Sequence, residues 1–315
     1  MKIHVLTYSN PDHLSQTVKT DLELLETAAK KQGHEIKIIY ARDCQLKFSG
    51  KKPQVLIKNK KPDIDVLLVR ANFLTGSLDF HAGLIRQFEY AGFTVVNKRL
   101  PVLRAKNKLR TLQVLNREKV PIPKSYIVRS SNYTDDVIKD IGSFPVILKT
   151  VAGSHGRGVS IIESKRGLSS IIELLIEGEK SAPLIIQEYV KESKGKDIRV
   201  FILGKRIIAA MERIATKRGE FRSNFKLGGR VRVAEMSRRE KDVAFAAVKA
   251  CGLDMAGVDL LRTKSGPKVL EVNANPGLEG ITQATGRDIA GEIIKYTVKK
   301  AKREIRKKEN KKNGR

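Results

Sequence analysis

Residues 256–281 read AGVDLLRTKSGPKVLEVNANPGLEGI. Two apolar runs, AGVDLL and KVLEVN, flank the turn-forming TKSG, the pattern of an antiparallel hairpin. A hairpin centred on Ser265 sets Asp259 opposite Glu271, with Asn273 one step farther on the same face. Alternation turns Leu270 and Val272 to the core, and Glu271 and Asn273 to whatever covers the sheet. Alone, Glu-x-Asn is the solvated face of a strand. Beside Asp259 it becomes two carboxylates and an amide oxygen, hard ligands that suit Mg²⁺ together with water and substrate phosphates. Without a cation the paired acids would repel each other.

Toward the N terminus, strand and helix alternate. KIHVLTY, EIKIIYA, DVLLVR and FTVVN read as strands, and LDFHAGLIRQFEYAG as a helix. TVKTDLELLETAAKKQGH places Val18, Leu22, Leu25, Ala28 and Ala29 at helical spacing ahead of Gly33. The expectation is a small open α/β domain over residues 1–103. Its first strand runs into TYSNPDHLS, which has no glycine to admit a pyrophosphate, so it is not a Rossmann nucleotide site. A basic helix and a proline-marked junction follow in NKRLPVLRAKNKLRTLQVLNREKVPIPKS. From Ser125 onward short strands dominate, interrupted by two helical stretches, GLSSIIELLIEG and RREKDVAFAAVKACG. This is an α+β region within residues 104–298, ahead of a basic tail, 299–315, expected to be disordered.

The 315 residues are 41% hydrophobic, enough for real cores, and carry a net charge of +28. Of that charge, +9 lies between Lys295 and Arg315, so the body is basic as well as the tail. Such a balance points to an anionic partner: nucleic acid, phosphate ligands or an acidic peptide. Cys44 and Cys251 are too few and too far apart for a disulfide framework or a cysteine metal site. No apolar window suits a membrane span, and the start lacks the features of a signal peptide; the expectation is a cytoplasmic protein. The five histidines show no metal-ligand spacing, and no nucleophile motif appears.

Three further stretches can carry chemistry. In ILKTVAGSHGRGVSII a strand delivers Lys149 to a loop containing Gly153, Gly156 and Gly158, with Ser154, His155 and Arg157 between them. It is neither a Walker A loop nor a Rossmann turn, but a glycine-rich hairpin tip can fold over phosphates. In IIQEYVKESKGKDIRVFI an apolar strand ends in Gln187, Glu188 and Tyr189, an edge able to meet a base, with Asp197 near enough for a sugar hydroxyl. FRSNF supplies Arg222, Ser223 and Asn224, the arginine suited to phosphate.

Taken in order, QEYV, DIRVFILG, FRSNF, AGVDLLR and EVNANPGLEGI resemble the RimK family of ATP-grasp glutamate ligases. The resemblance continues through RQFEYAGFTVVN and AKNKLRTLQVL and covers nearly everything but the tail. It implies an ATP-grasp fold, α/β and α+β, with an N-terminal pre-ATP-grasp domain. It implies ATP with Lys108 and Lys149 on its phosphates, the loop of Gly153 and Gly156 over them, Gln187, Glu188 and Tyr189 at the adenine, and Asp197 at the ribose. Arg222, Ser223 and Asn224 would face the nucleotide and reacting group, with Arg222 and Asn224 catalytic. Asp259, Glu271 and Asn273 would hold two Mg²⁺ or Mn²⁺ ions. The implied reaction adds glutamate to the acidic C-terminus of a small-subunit ribosomal protein through an acyl phosphate. The implied setting is near the ribosome and its RNA, away from membranes, in a homo-oligomer. His155 and Arg157 in the glycine loop and the Lys-rich end depart from the family pattern, which leaves substrate identity open. The alternatives are an amino-acid ligase acting on a small cofactor or carrier protein, and an RNA-associated binding protein without turnover.

Overall fold

The computed structural model describes residues 1–50, 52–73, 78–151, 158–176, 183–193, 195–216 and 229–313. The N-terminal elements are β1 (Lys2–Thr7), α1 (Gln16–Lys31), β2 (Glu35–Tyr40), β3 (Cys44–Lys47), β4 (Gln54–Ile57), β5 (Val66–Arg70), α2 (Leu78–Tyr90) and β6 (Thr94–Val96). Four of the strands form a parallel sheet in the order β2-β1-β5-β6, and β3 pairs with β4 in a hairpin that the sequence did not signal. Near-complete burial of β1 and β5 matches their unbroken apolar runs. Leu22, Leu25, Ala28 and Ala29 form the buried face of α1, as their spacing requires.

The basic helix expected next is two helices, α3 (Arg99–Lys106) and α4 (Lys108–Arg117). Asn107 between them is extended, and its side chain accepts from the Arg110 N–H, capping α4. A capping asparagine inside a helical pattern ends one helix and starts the next. Six elements follow: β7 (Ser125–Val128), α5 (Thr134–Ile141), β8 (Val146–Thr150), β9 (Val159–Ile162), α6 (Lys165–Ile176) and β10 (Leu184–Glu188). They make an antiparallel sheet, β7-β10-β8-β9, with its own core that includes Val146, Leu148, Leu168, Ile172 and Ile186.

The remainder comprises β11 (Lys196–Leu203), β12 (Arg206–Ile214), β13 (Arg230–Val233), α7 (Arg238–Cys251), β14 (Met255–Leu261), β15 (Lys268–Asn273), α8 (Glu279–Thr285) and α9 (Ile289–Asn313). Its antiparallel sheet, β13-β12-β11-β14-β15, is covered on both faces. On one face Ile198, Val200 and Ile202 share a core with α7 and with Leu67 and Val69 of β5. On the other, Phe201, Leu203 and Met255 pack with Ile289, Ile293 and Ile294 of α9 and with Ile3 and Val5 of β1. Both cores therefore join the C-terminal sheet to the N-terminal one. The basic tail is helical as far as Asn313 rather than disordered. Val298 and Ala301 are buried, so the helix is anchored, and its Lys, Glu and Arg residues are good helix formers that propagate it outward. Among the described residues no helix is long and apolar enough to cross a membrane.

Asn97, immediately after β6 and fully buried, joins these units with its whole hydrogen-bonding capacity. Its Nδ2 donates to Met255 O (2.7 Å) and Ala274 O (3.2 Å), and its Oδ1 accepts from Asp254 N (2.7 Å) and Met255 N (2.9 Å). Asn97→Leu takes this partner from four backbone groups, three of them in buried bonds. It is expected to cost at least about 3 kcal/mol of stability in urea unfolding, at roughly 1–3 kcal/mol per unsatisfied group.

Candidate active site

The hairpin of β14 and β15 has the expected register: Asp259 pairs with Glu271 and Val258 with Val272. One detail differs. Beyond Glu271 the ladder slips, so that Leu260 pairs with Val269 and Leu270 is left as the bulged residue. Val269 and Val272 are the core-facing pair, and Leu270 is only half-buried. A bulge adds one residue to a strand and so breaks the simple alternation.

Asp259 is buried and faces two arginines rather than open space. Arg199, directly across the ladder on β11, donates Nε to Oδ1 (2.7 Å) and Nη2 to Oδ2 (2.6 Å). Arg213 on β12 adds a further bond to Oδ2 (2.6 Å) and holds its own cross-strand partner, Asp197, through both carboxylate oxygens at 2.6 and 2.8 Å. Burial alone would raise the Asp259 carboxyl above its ordinary value, but Arg199 and Arg213 overcome it and hold the group at about 2. Asp197, expected at a ribose, thus belongs to this buried array. Neither arginine was singled out from sequence. The signal was present for Arg199, which shares a strand face with Asp197, but only the sheet register shows what it meets.

Glu271 lies within electrostatic range of three lysines from two regions of the fold. Lys106 and Lys108 flank the α3–α4 break, and Lys149 sits on β8. Burial lowers all three lysines, to about 8 for Lys106 and Lys149, while the Glu271 carboxylate opposes that shift in each. Lys149 Nζ donates to Gln187 Oε1 (2.6 Å), and Gln187 Nε2 donates to Ser125 Oγ (2.7 Å). Lys106, which sequence reading passed over in favour of Lys108, donates to Phe73 O (3.2 Å) and stands 5.1 Å from the Phe73 ring centre.

At the end of β10, Glu188 is held by both oxygens at 2.7 Å to Lys268 and accepts from the Lys124 N–H (3.0 Å). A cleft of about 380 Å³ opens beside Glu188 and Tyr189, lined also by Ile141, Ser143, Pro145 and Lys264. Asn273 ends β15, its Oδ1 accepting from the Asn275 N–H (2.9 Å). Gly153, Ser154, His155, Gly156, Arg157, Arg222, Ser223 and Asn224 lie outside the described residues.

Among the described residues no group of three His, Cys, Asp or Glu side chains is arranged to hold a metal by itself. The donors present nonetheless fit a hard cation. Glu271 and Asn273 offer oxygens, and Asp259 Oδ1, which accepts from Arg199 while Oδ2 accepts from both arginines, keeps a lone pair. Mg²⁺ is commonly bound by one or two carboxylates, with phosphates and water completing the shell.

The RimK-like ATP-grasp domain matches residues 105–297, and the RimK pre-ATP-grasp domain matches residues 1–100. This chain belongs to the RimK family of ATP-grasp proteins. Relatives of this RimK-family chain include a probable alpha-L-glutamate ligase of Vibrio vulnificus, 37% identical over 304 residues and 96% of this chain (97% of the relative). A protein of the same name from Coxiella burnetii is 38% identical over the same length, again 96% of this chain and 97% of its own. In fold, the chain is similar to the ATP-grasp ligase PsnB complexed with a minimal precursor (TM-score 0.73, 20% identity, 95% of this chain and 98% of that one). It is also similar to a D-alanine–D-alanine ligase of Bacillus anthracis complexed with ATP (TM-score 0.71, 20% identity, 98% and 99% covered).

Arg213→Leu removes the bidentate partner of Asp197 and one of the two cations on Asp259 in this RimK-family sheet, and is expected to cost about 3–5 kcal/mol in urea unfolding at neutral pH. Because Asp259 sits at about 2 when folded against an ordinary 3.8, its stabilising contribution is complete above that ordinary value and disappears as pH falls toward 2. The gap between wild type and Arg213→Leu should therefore narrow over the same acid range.

Proposed function

We propose that this protein adds glutamate to the C-terminus of a small-subunit ribosomal protein. The broader statement, an ATP-dependent acid–amino-acid ligase that uses Mg²⁺, follows from membership of the family. The observation that carries the site reading is the pairing of Asp259 with Glu271 across the ladder, with the Glu271 carboxylate opposing the burial shift of Lys106, Lys108 and Lys149. Burial lowers the proton affinity of these lysines, and Lys108 lowers that of Lys149 further, so a bound anion would stabilise their charge, which favours a polyphosphate.

In this reading ATP lies between the β7-β10-β8-β9 sheet and the five-stranded sheet, within a domain spanning 104–298, and the domain of residues 1–103 supports it. Lys108 and Lys149 neutralise the phosphates, and Gly153 and Gly156 cover them. Gln187, Glu188 and Tyr189 border the adenine. Arg222, Ser223 and Asn224 face the reacting centre. Asp259, Glu271 and Asn273 hold two ions, Mg²⁺ or Mn²⁺, which supply charge neutralisation when bound. A carboxylate is a poor acyl donor because its leaving group would be oxide. Attack of the acceptor carboxylate on the γ-phosphorus expels ADP and gives an acyl phosphate; the amine of glutamate then displaces phosphate, releasing a proton as the amide forms. The residues act by positioning and by offsetting charge. The proposed setting is the cytoplasm, near the ribosome and its RNA, with the enzyme as a homo-oligomer.

The test is ADP release with Mg-ATP, glutamate and candidate acceptors, with mass spectrometry of the acceptor. Acceptor-dependent ADP and growth by glutamate increments are expected, with Glu271→Ala losing on the order of 10²–10³ in rate. Growth with another amino acid would sink the glutamate assignment, and salt-sensitive RNA binding without turnover would replace the ligase reading.

The lysines add a pH dependence. Lys106 and Lys149 give up their protons near pH 8 in the free protein, where an ordinary lysine holds its proton to 10.5. Phosphate binds the charged form, so metal-free ADP affinity should be full below about pH 8 and fall above it. Calorimetry across that range should show the fall in wild type and a flatter profile in Lys149→Arg.

A further inference from the structure

The chain beyond Asn273 is held, at alternate residues, by three side chains from the N-terminal unit. Asn97 Nδ2 donates to Ala274 O (3.2 Å), Arg70 Nη2 donates to Pro276 O (3.0 Å), and the Leu278 N–H donates to Asp21 Oδ1 (2.9 Å). Arg70, the last residue of β5, and Asp21, on α1, are joined to each other at 2.6 Å, Nη2 to Oδ2, and are 3% and 6% exposed. Between these anchors the Asn275 N–H donates to Asn273 Oδ1, the oxygen assigned to the metal. We propose that Asp21 and Arg70 are positioning residues that aim Asn273, so that the N-terminal unit is a working part of the metal site. The inference rests on the reading of Asn273 as a ligand given above.

Local forces do not explain the path of this turn. Gly277 has open space where a Cβ would stand, so no crowding locks the chain there. Pro276 does pack closely against the strand: a Cβ on Gly257, opposite Asn273 in the ladder, would come within 2.9 Å of Pro276 Cβ. That contact limits how near the turn lies to β14 but leaves its direction to the hydrogen bonds of Arg70 and Asp21.

Stability does not explain the pair either. Burial opposes the Arg70 charge and is only partly offset by Asp21. Arg70 Nη1 and Asn275 Oδ1 are buried with no hydrogen-bond partner among the described residues. A buried ion pair that leaves orphaned polar atoms is commonly no better for stability than apolar side chains of similar size. What an apolar pair cannot supply is directed bonds to Pro276 O and Leu278 N. Asn273 turns about two single bonds, so its oxygen points where the Asn275 N–H holds it.

The double variant Asp21→Leu/Arg70→Met separates the two roles. Expected results are a melting temperature equal to or above that of wild type and, below about pH 8 where Lys106 is charged with or without Arg70, unchanged metal-free ADP affinity. Mn²⁺ affinity for the ADP complex, read by electron paramagnetic resonance titration, should fall at least tenfold, and kcat should fall with little change in the KM of the acceptor. If the double variant does not fold, Asp21→Asn, nearly identical in shape, should show the same loss of Mn²⁺ affinity at smaller size, with Asp21→Glu restoring part of it. Mn²⁺ affinity and kcat within twofold of wild type in the folded variant would overturn the proposal. Asn273→Ala is the control. If it weakens Mn²⁺ binding while the Asp21 and Arg70 variants do not, only the positioning role fails; if it leaves Mn²⁺ binding unchanged, the metal reading fails and takes the positioning role with it.

Discussion

Everything at this site depends on opposing the buried charge of Asp259. A carboxylate removed from water is destabilising unless cations replace the lost hydration. Here the cations come from two strands on one side of it, Arg199 directly opposite on β11 and Arg213 one strand farther on β12. Because Arg213 also grips Asp197, three strands are tied by charge at the level where the site opens. The sheet beneath it is buried on both faces, so the array is fixed from below by packing and from the side by its own ladder.

The lysines have the inverse problem. Lys106, Lys108 and Lys149 are cations whose burial disfavours their charge, with Glu271 as the shared carboxylate that opposes the shift. The buried acids are thus satisfied by arginines, while the lysines keep a lowered proton affinity despite their acid. That imbalance suits a strongly anionic ligand with an accompanying cation, and it needs no movement of the core to be put to use. The N-terminal unit joins in through Asn97, Arg70 and Asp21, which fasten the chain just beyond Asn273.

Local patterns were legible wherever one element answered to one rule. Alternating apolar runs marked the strands, helical spacing marked the buried face of α1, and the hairpin midpoint paired Asp259 with Glu271. Short or interrupted elements were lost: β3 and β4, the break at Asn107, and the bulge at Leu270. At Asn107 and Leu270 a single residue outweighs the periodicity around it. The tail was misjudged because its charge was weighed without the buried Val298 and Ala301 that seat the helix.

The sequence by itself determined the class of fold and the family, and it paired Asp259 with Glu271, because those signals are local or occur in a fixed order along the chain. Only the tertiary structure decided what each of them faces. Arg199 and Arg213 meet Asp259 through strand register, Lys106 at the end of α3 lies in the field of Glu271, and Asp21 holds a backbone N–H on Leu278, far along the chain. Such partners are chosen by sheet order and by the cores that press the two units together, and no local pattern of residues records either.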